Sequence, residues 1–319
     1  RAGLTKYAAT RTDIAPPAPG YVMVVDQTQG DAALMGAGLP QFREMLAVAR
    51  IENPGADLLI KTHPETQAGL RPGHYGPHDA AKHGATLHEA PSCPYALLEG
   101  ATAVYTWSSQ LGLEAILAGH RPRVFGQPFY AGWGLTQDEN PIPRRTRRLS
   151  RAQLVQGALM DQPLWYDPYH DCLTDLGGVL DTLEARARAW REDRQGYTAA
   201  GMRLWKRAPL RRFFGRHGPI RFADGAQAAS DAARHDRPLM VWAGKEAQAH
   251  RAAPHLLRVE DGFLRSHGLG ADLVPPMSLV ADDLGIYYDP TRPSRLEALI
   301  PQPLAPDQTG RAEALIDCL

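Results

Sequence analysis

Apolar and polar positions along the first half of the chain repeat in the order strand, turn, helix, strand. "YVMVV" (21–25) is an unbroken apolar run, as expected of a strand buried on both faces of a parallel sheet. "LPQFREMLAVARIE" places Phe42, Met45, Leu46 and Ala49 at helical spacing, and "NPG" then stops the helix. "DLLIKTHP" reads as a second strand, broken by Pro64, and "ALLEGATAVYTW" as a short helix with a third strand behind it. "SSQLGLEAILAG" predicts a helix capped by Ser108 or Ser109 and closed by Gly119, and "RPRVFG" a fourth strand. Such alternation predicts an α/β open sheet, in which ligands bind beyond the carboxyl ends of the strands.

Three polar turns, "DQTQGD", "KTHPE" and "SSQ", follow directly on these apolar strands. Parallel strands would bring all three to one edge. Strands also end on Gly and Asp for purely structural reasons, so Asp26 and Asp31 mark chemistry only through that convergence. Ser108 and Ser109 combine hydroxyls with the free N–H groups and positive dipole end of a helix, which suits a phosphate, as do Lys61 and His63. A plain N-cap is the competing reading of the two serines. Neither a Walker loop nor a Gly-x-Gly-x-x-Gly is present, which argues against ATP and NAD. His74, His78, His83, His88 and Cys93 lack the paired short spacings of a zinc site and read as a surface loop.

From about residue 174 the texture changes to a charged helical run, "LGGVLDTLEARARAWREDRQ", which reads as a connector. Residues 202–218, "MRLWKRAPLRRFFGRHG", carry six Lys or Arg and no acid, interleaved with Leu204, Trp205, Leu210, Phe213 and Phe214. This segment suits an anionic membrane surface, or else a solvated basic face over packed apolar residues. Past residue 219 the α/β rhythm returns with "PLMVWAG" and "HLLRVEDGF", and a strand again runs into acids, Glu260 and Asp261. The chain stops before a full second sheet would be complete. The expected division is 1–173, a Rossmann-like half; 174–218, a helical and basic connector; and 219–319, a partial second half.

Bulk composition narrows the partners. In 319 residues, 35 Lys and Arg balance 35 Asp and Glu, so no overall field would hold the protein on a nucleic acid. Three scattered cysteines, Cys93, Cys172 and Cys318, form no disulfide framework and suit a reducing, cytoplasmic setting. No apolar run approaches the ~20 residues that span a bilayer. The chain begins with Arg1, which suggests a piece of something longer.

Five blocks in order, "VVDQTQGDAA", "IKTHPET", "SSQLGLEAILAG", "FGQPFYAGWGLT" with "RRTRRLS", and "VEDGFLRSHGLGADLVPPMSLVADDLGIYYDPTRPSRLE", resemble the signature blocks of KpsC-type capsule polysaccharide proteins. The resemblance spans most of the chain. It implies a retaining β-Kdo glycosyltransferase that builds the Kdo linker joining capsule to a phosphatidylglycerol lipid. It also implies Rossmann-like halves of GT-B modules joined by a helical connector. Because the blocks stand in reversed order, the chain resembles the C-terminal, donor-binding half of one module followed by the N-terminal half of a second, an internal fragment. The resemblance places the catalytic carboxylate on Asp31, the phosphate-contacting histidine on His63 with Pro64, and nucleotide binding on Ser108, Ser109 and Gln110. Glu65 and Leu113 depart from the family's usual Asp and aromatic residue.

The same resemblance implies CMP-Kdo as donor, with Asp31 as nucleophile and His63, helped by Lys61, facing the departing phosphate. CMP leaves as a monophosphate, so no metal and no cofactor are expected. The acceptor would be phosphatidylglycerol-linked Kdo, and the location cytoplasmic, peripheral on the inner face of the inner membrane. Asp26 is expected to close the turn that aims Asp31. Glu260, Asp261 and Arg265 would face another cleft, Arg265 pairing with a Kdo carboxylate. Two rivals remain at this level: an inverting CMP-sugar transferase using Asp31 as a base, and a CMP-binding fragment without turnover.

Overall fold

A computed structural model describes residues 3–7, 10–225 and 227–319. The chain divides into two compact units, residues 1–191 and 192–319. The first is built on strands β1 (Tyr21–Val25), β2 (Leu58–Lys61), β3 (Ala85–His88), β4 (Ala101–Thr106), β5 (Arg123–Val124) and β6 (Gln137–Asp138). All pair in parallel, in the order β3-β2-β1-β4-β5-β6. This is the doubly wound dinucleotide-fold order, whose direction reverses between β1 and β4.

Alternation along β1 explains its unbroken apolar run. Val22 and Val24 pack with Phe42, Met45, Leu46 and Ala49 of helix α1 (Leu39–Glu52). Tyr21, Met23 and Val25 face the other side. Between β2 and β3 lie α2 (Pro64–Gln67) and α3 (Pro77–Lys82), and α4 (Pro94–Gly100) precedes β4. Leu97 and Leu98 of α4 and Ala115 of α5 (Leu111–Ala118) cover the second face. Burying side chains of this kind contributes about 1.5–3 kcal/mol each, so both layers hold β1 at the centre.

The unit continues through a short helix α6 (Arg151–Val155) and a hairpin, β7 (Trp165–Asp167) with β8 (Cys172–Thr174). Helix α7 (Leu176–Asp193) follows, in the charged run read from the sequence. Residues 74–93 form no surface loop. His74 is buried and stacked on Phe42 at 3.8 Å, residues 77–82 are helical, and residues 85–88 are the edge strand. The glycines and prolines there punctuate elements too short to show a period.

The second unit carries a five-stranded sheet in the order β10-β9-β11-β12-β13: β9 (Tyr197–Ala200), β10 (Ile220–Ala223), β11 (Leu239–Trp242), β12 (Leu256–Asp261) and an antiparallel β13 (Leu279–Asp282). The expected connector 174–218 is therefore divided differently. Its second half supplies β9 and helix α8 (Leu204–Phe214), which belong to this unit. Leu210 and Phe214 of α8 pack on Tyr197, Met240 and Val259, and the Arg207 and Arg211 guanidinium groups stack over Phe222. Leu210 and Phe214 thus serve the core, whereas Phe213 of the same segment is exposed. Arg203, Leu204, Arg212 and Arg216 stay exposed. No helix among the described residues is long and apolar enough to cross a membrane.

Candidate active site

The turns after β1, β2 and β4 meet at the carboxyl edge of the first sheet, around the point where its strand order reverses. They enclose a cavity of about 340 Å³ lined by Asp31, Lys61, His63, Pro64, Ser108, Ser109 and Gln110 among others. All seven residues that the sequence marked in this unit line it. The cavity belongs to the first unit, whereas Glu260, Asp261 and Arg265 belong to the second.

Two carboxylates of one turn do different work. Asp26 is fully buried and accepts backbone N–H groups from Gln27 (2.9 Å) and His74 (3.0 Å), with Tyr75 at 3.4 Å. A side chain at Gly73 would collide with it, so Gly73 is needed for this close approach. Asp26 therefore ties the β1 turn to the 73–75 loop; its bonds run there, and none reaches Asp31. Asp31 is only half-buried and caps a single 3-10 turn (Ala32–Leu34), one carboxylate oxygen accepting from Ala33 N at 2.9 Å. Its other oxygen has no hydrogen-bond partner among the described residues.

His63 caps α2, its Nδ1 accepting the Glu65 N–H at 3.2 Å. That bond assigns the ring proton to Nε2, making the neutral imidazole a donor. Burial lowers the His63 pKa, as do Lys6 and Lys61 nearby, against the opposing pull of Glu65 and Asp31. Lys61 is buried at the end of β2, its Nζ donating to Thr62 O at 2.9 Å, and burial lowers its pKa to about 8. A cation this poorly solvated gains strongly from an anion in the cavity.

Ser108 is locked to the β1 turn: its N–H donates to Gln27 Oε1 at 2.9 Å, and its hydroxyl accepts from Gln27 Nε2 at 3.2 Å. The hydroxyl proton remains to be donated elsewhere. Ser109 Oγ accepts from Leu111 N at 3.2 Å, so it supplies the serine cap expected of this helix, although the N-cap position itself is Gln110. Gly119 closes the helix as expected, in the left-handed conformation.

Sequence reading missed part of the wall. Thr5, Lys6 and Tyr7 fold over the cavity, with Tyr7 edge-on to His63 at 5.9 Å between ring centroids. Glu114 of α5 is buried against the cavity, accepts Lys6 N at 3.1 Å, and has its pKa raised by burial. Neither could be placed from spacing alone, because the contact joins segments 108 residues apart.

In the second unit Arg265 is paired with Asp261, Nε to Oδ2 at 2.9 Å, and donates to Ser266 Oγ and Val274 O. Its charge is thus engaged within the protein. Burial raises the pKa of Glu260 and lowers that of Lys206 to about 8, the Lys206 ammonium lying over the Trp242 ring.

Residues 4–165 and 238–315 match the capsule polysaccharide biosynthesis protein family. The chain belongs to that family. It is 38% identical over 299 residues to the capsule polysaccharide modification protein LipA of Neisseria meningitidis serogroup B, covering 89% of this chain and 42% of the relative. It is 32% identical over 166 residues to the lipopolysaccharide-processing protein LpsZ of Rhizobium meliloti, covering 51% of this chain and 36% of the relative. The chain thus spans less than half the length of these curated relatives. Among solved structures it is similar to the β-Kdo 2,4 transferase of Thermosulfurimonas dismutans KpsC, at 31% identity and a TM-score of 0.52, covering 57% of this chain and 58% of that one. The two α/β units are Rossmann-like halves of the GT-B type.

Proposed function

We propose that the chain is part of a retaining β-Kdo glycosyltransferase of capsule assembly, whose first unit binds the CMP-Kdo donor. This reading is carried by the convergence of a partly unengaged carboxylate, Asp31, and a neutral imidazole donor, His63, on one cavity at the sheet's switch point. The similarity to a structure described as a β-Kdo transferase supports the choice of sugar. The CMP phosphate would meet His63 Nε2–H, the Lys61 ammonium and the Ser108 hydroxyl. The free Asp31 oxygen attacks the anomeric carbon as its bond to the phosphate oxygen breaks and the electron pair leaves with CMP. An acceptor hydroxyl on phosphatidylglycerol-linked Kdo then displaces the Asp31 carboxylate from the opposite side, its proton passing to the phosphate of the departed CMP on that face. Two inversions give retention.

His63 is the most direct test of donor binding. A hydrogen bond to a charged group contributes about 1.5–3 kcal/mol, so His63→Ala is expected to weaken CMP binding by about 10- to 100-fold in calorimetric titration. An unchanged affinity would remove the imidazole from the donor site.

Membrane contact through 202–218 would be led by the exposed Arg203, Arg212 and Arg216, since Leu210 and Phe214 are committed to the core and only Leu204 and Phe213 remain as exposed apolar contacts. Flotation with phosphatidylglycerol vesicles is therefore expected at low salt and lost near 1 M, where the screening length falls to about 3 Å. Salt-resistant binding, or equal binding to uncharged vesicles, would contradict an electrostatic contact.

A further inference from the structure

The segment that folds over the cavity of the first unit is held at several points. Arg191 of α7 donates from Nε to Thr10 O at 3.1 Å and from Nη2 to Gly3 O at 3.3 Å, gripping the chain on both sides of Lys6. Arg11 then joins the 91–93 turn, its N–H donating to Pro91 O at 2.9 Å and its carbonyl accepting Cys93 N at 3.2 Å. Between these anchors Lys6 N donates to Glu114 Oε1 at 3.1 Å, and the Tyr7 ring stands edge-on to His63. The backbone of this strap is therefore a fixed part of the wall.

The Lys6 side chain is not engaged in the same way. Its ammonium lies 5.4 Å from the centre of the Tyr7 ring and has no ion-pair or hydrogen-bond partner among the described residues. It is near enough to His63 for its charge to lower the pKa of that ring, which Asp31 raises from the same neighbourhood. Lys6 and Lys61 are the two lysines of the cavity wall, and no arginine lines it. Lys61 is buried at the end of β2 beside His63, where the donor reading places the phosphate, whereas Lys6 is exposed and reaches in from the strap.

Kdo differs from a neutral sugar in carrying a carboxylate on its anomeric carbon, the atom that Asp31 attacks. Attack brings two carboxylates together, and their repulsion is strong in a cavity poor in water unless a cation lies beside them. Arg265 does not supply that cation, since it is paired with Asp261 in the other unit. We propose that the Lys6 ammonium binds the carboxylate of the donor sugar, which makes the strap the part of the site that selects an acidic sugar; the inference rests on the donor reading. The other acids of the wall leave Lys6 available for this. Glu114 engages its backbone N–H, and Asp26 is fully buried and bonded to the 73–75 loop.

The test compares CMP with CMP-Kdo by calorimetric titration, in the Asp31→Asn chain so that no sugar passes to the protein. CMP-Kdo is expected to bind this chain more tightly than CMP. Adding Lys6→Gln should weaken CMP-Kdo by about 10-fold, the lower end for a hydrogen bond to a charged group because Lys6 is exposed, and should leave CMP affinity unchanged. Lys6→Arg keeps the charge and should recover most of the loss. Neither substitution removes the anchor to Glu114, which is made by the backbone. Unchanged CMP-Kdo affinity in Lys6→Gln would overturn the carboxylate contact and leave the donor reading standing. An equal loss for CMP and CMP-Kdo would move Lys6 to the phosphate and overturn the contact as well. Failure of the unsubstituted 319-residue chain to bind CMP would count against the donor reading itself, and the role of Lys6 would fall with it.

Discussion

Asp31→Asn is expected to abolish Kdo transfer in the full-length protein, by on the order of 10⁴-fold or more, while leaving CMP affinity within about twofold. Asparagine is as good a cap as aspartate, so the single 3-10 turn that Asp31 holds through Ala33 N should persist. The substitution removes the unengaged oxygen facing the cavity. Intact-mass analysis after exposure to CMP-Kdo extends the test: a sugar adduct on Asp31 supports the two-step route, and full activity without Asp31 would end it. An inverting enzyme would lose activity in the same variant but never carry the adduct.

Asp26→Ala should show the opposite pattern. Its carboxylate satisfies the buried N–H groups of Gln27 and His74, and the 73–75 loop depends on it. Removing it leaves those donors unpaired in the interior, a loss of roughly 3–5 kcal/mol. For a unit of this size that lowers Tm by about 6–20 °C. Thermal unfolding followed by circular dichroism reads this directly; a Tm within a degree or two of wild type would mean the anchor is dispensable. Two acids five residues apart would then be separated by experiment, one carrying stability and the other chemistry.

This division of labour is only half legible in the sequence. The apolar run of β1, the period of α1 and the serine-led start of α5 are local signals, and each marks its element to within a few residues. Convergence of the three turns comes from parallel pairing, which alternation implies. Asp26 differs from Asp31 because its hydrogen-bond partners come from residues 74 and 75, a distance in sequence that no local pattern carries. The same holds for the Gln27–Ser108 lock and for the Lys6–Glu114 contact. In the second unit, β9 was hidden for another reason. "YTAA" is short and rich in small residues, and it is a strand only because β10 and β11 pair with it on either side. The basic segment shows the converse, where a pattern suited to a membrane surface is explained in part by Leu210 and Phe214 packing inward, while Leu204 and Phe213 stay exposed.

Lys61 gives the site a pH signature. With its pKa lowered to about 8, the ammonium is charged at neutral pH and loses its proton as pH rises through that value. Attraction for a phosphate is therefore full below about 8 and falls above it. Burial keeps His63 neutral in the same range, so its donated hydrogen bond does not change. The measurement that bears most directly on the cavity's role is calorimetric titration of this chain with CMP and with cytidine, at pH 7 and at pH 9. CMP should bind at least tenfold more tightly than cytidine at the lower pH, and the ratio should shrink at the higher. Equal affinities for the two, or no CMP binding at either pH, would contradict a phosphate site at this edge of the sheet.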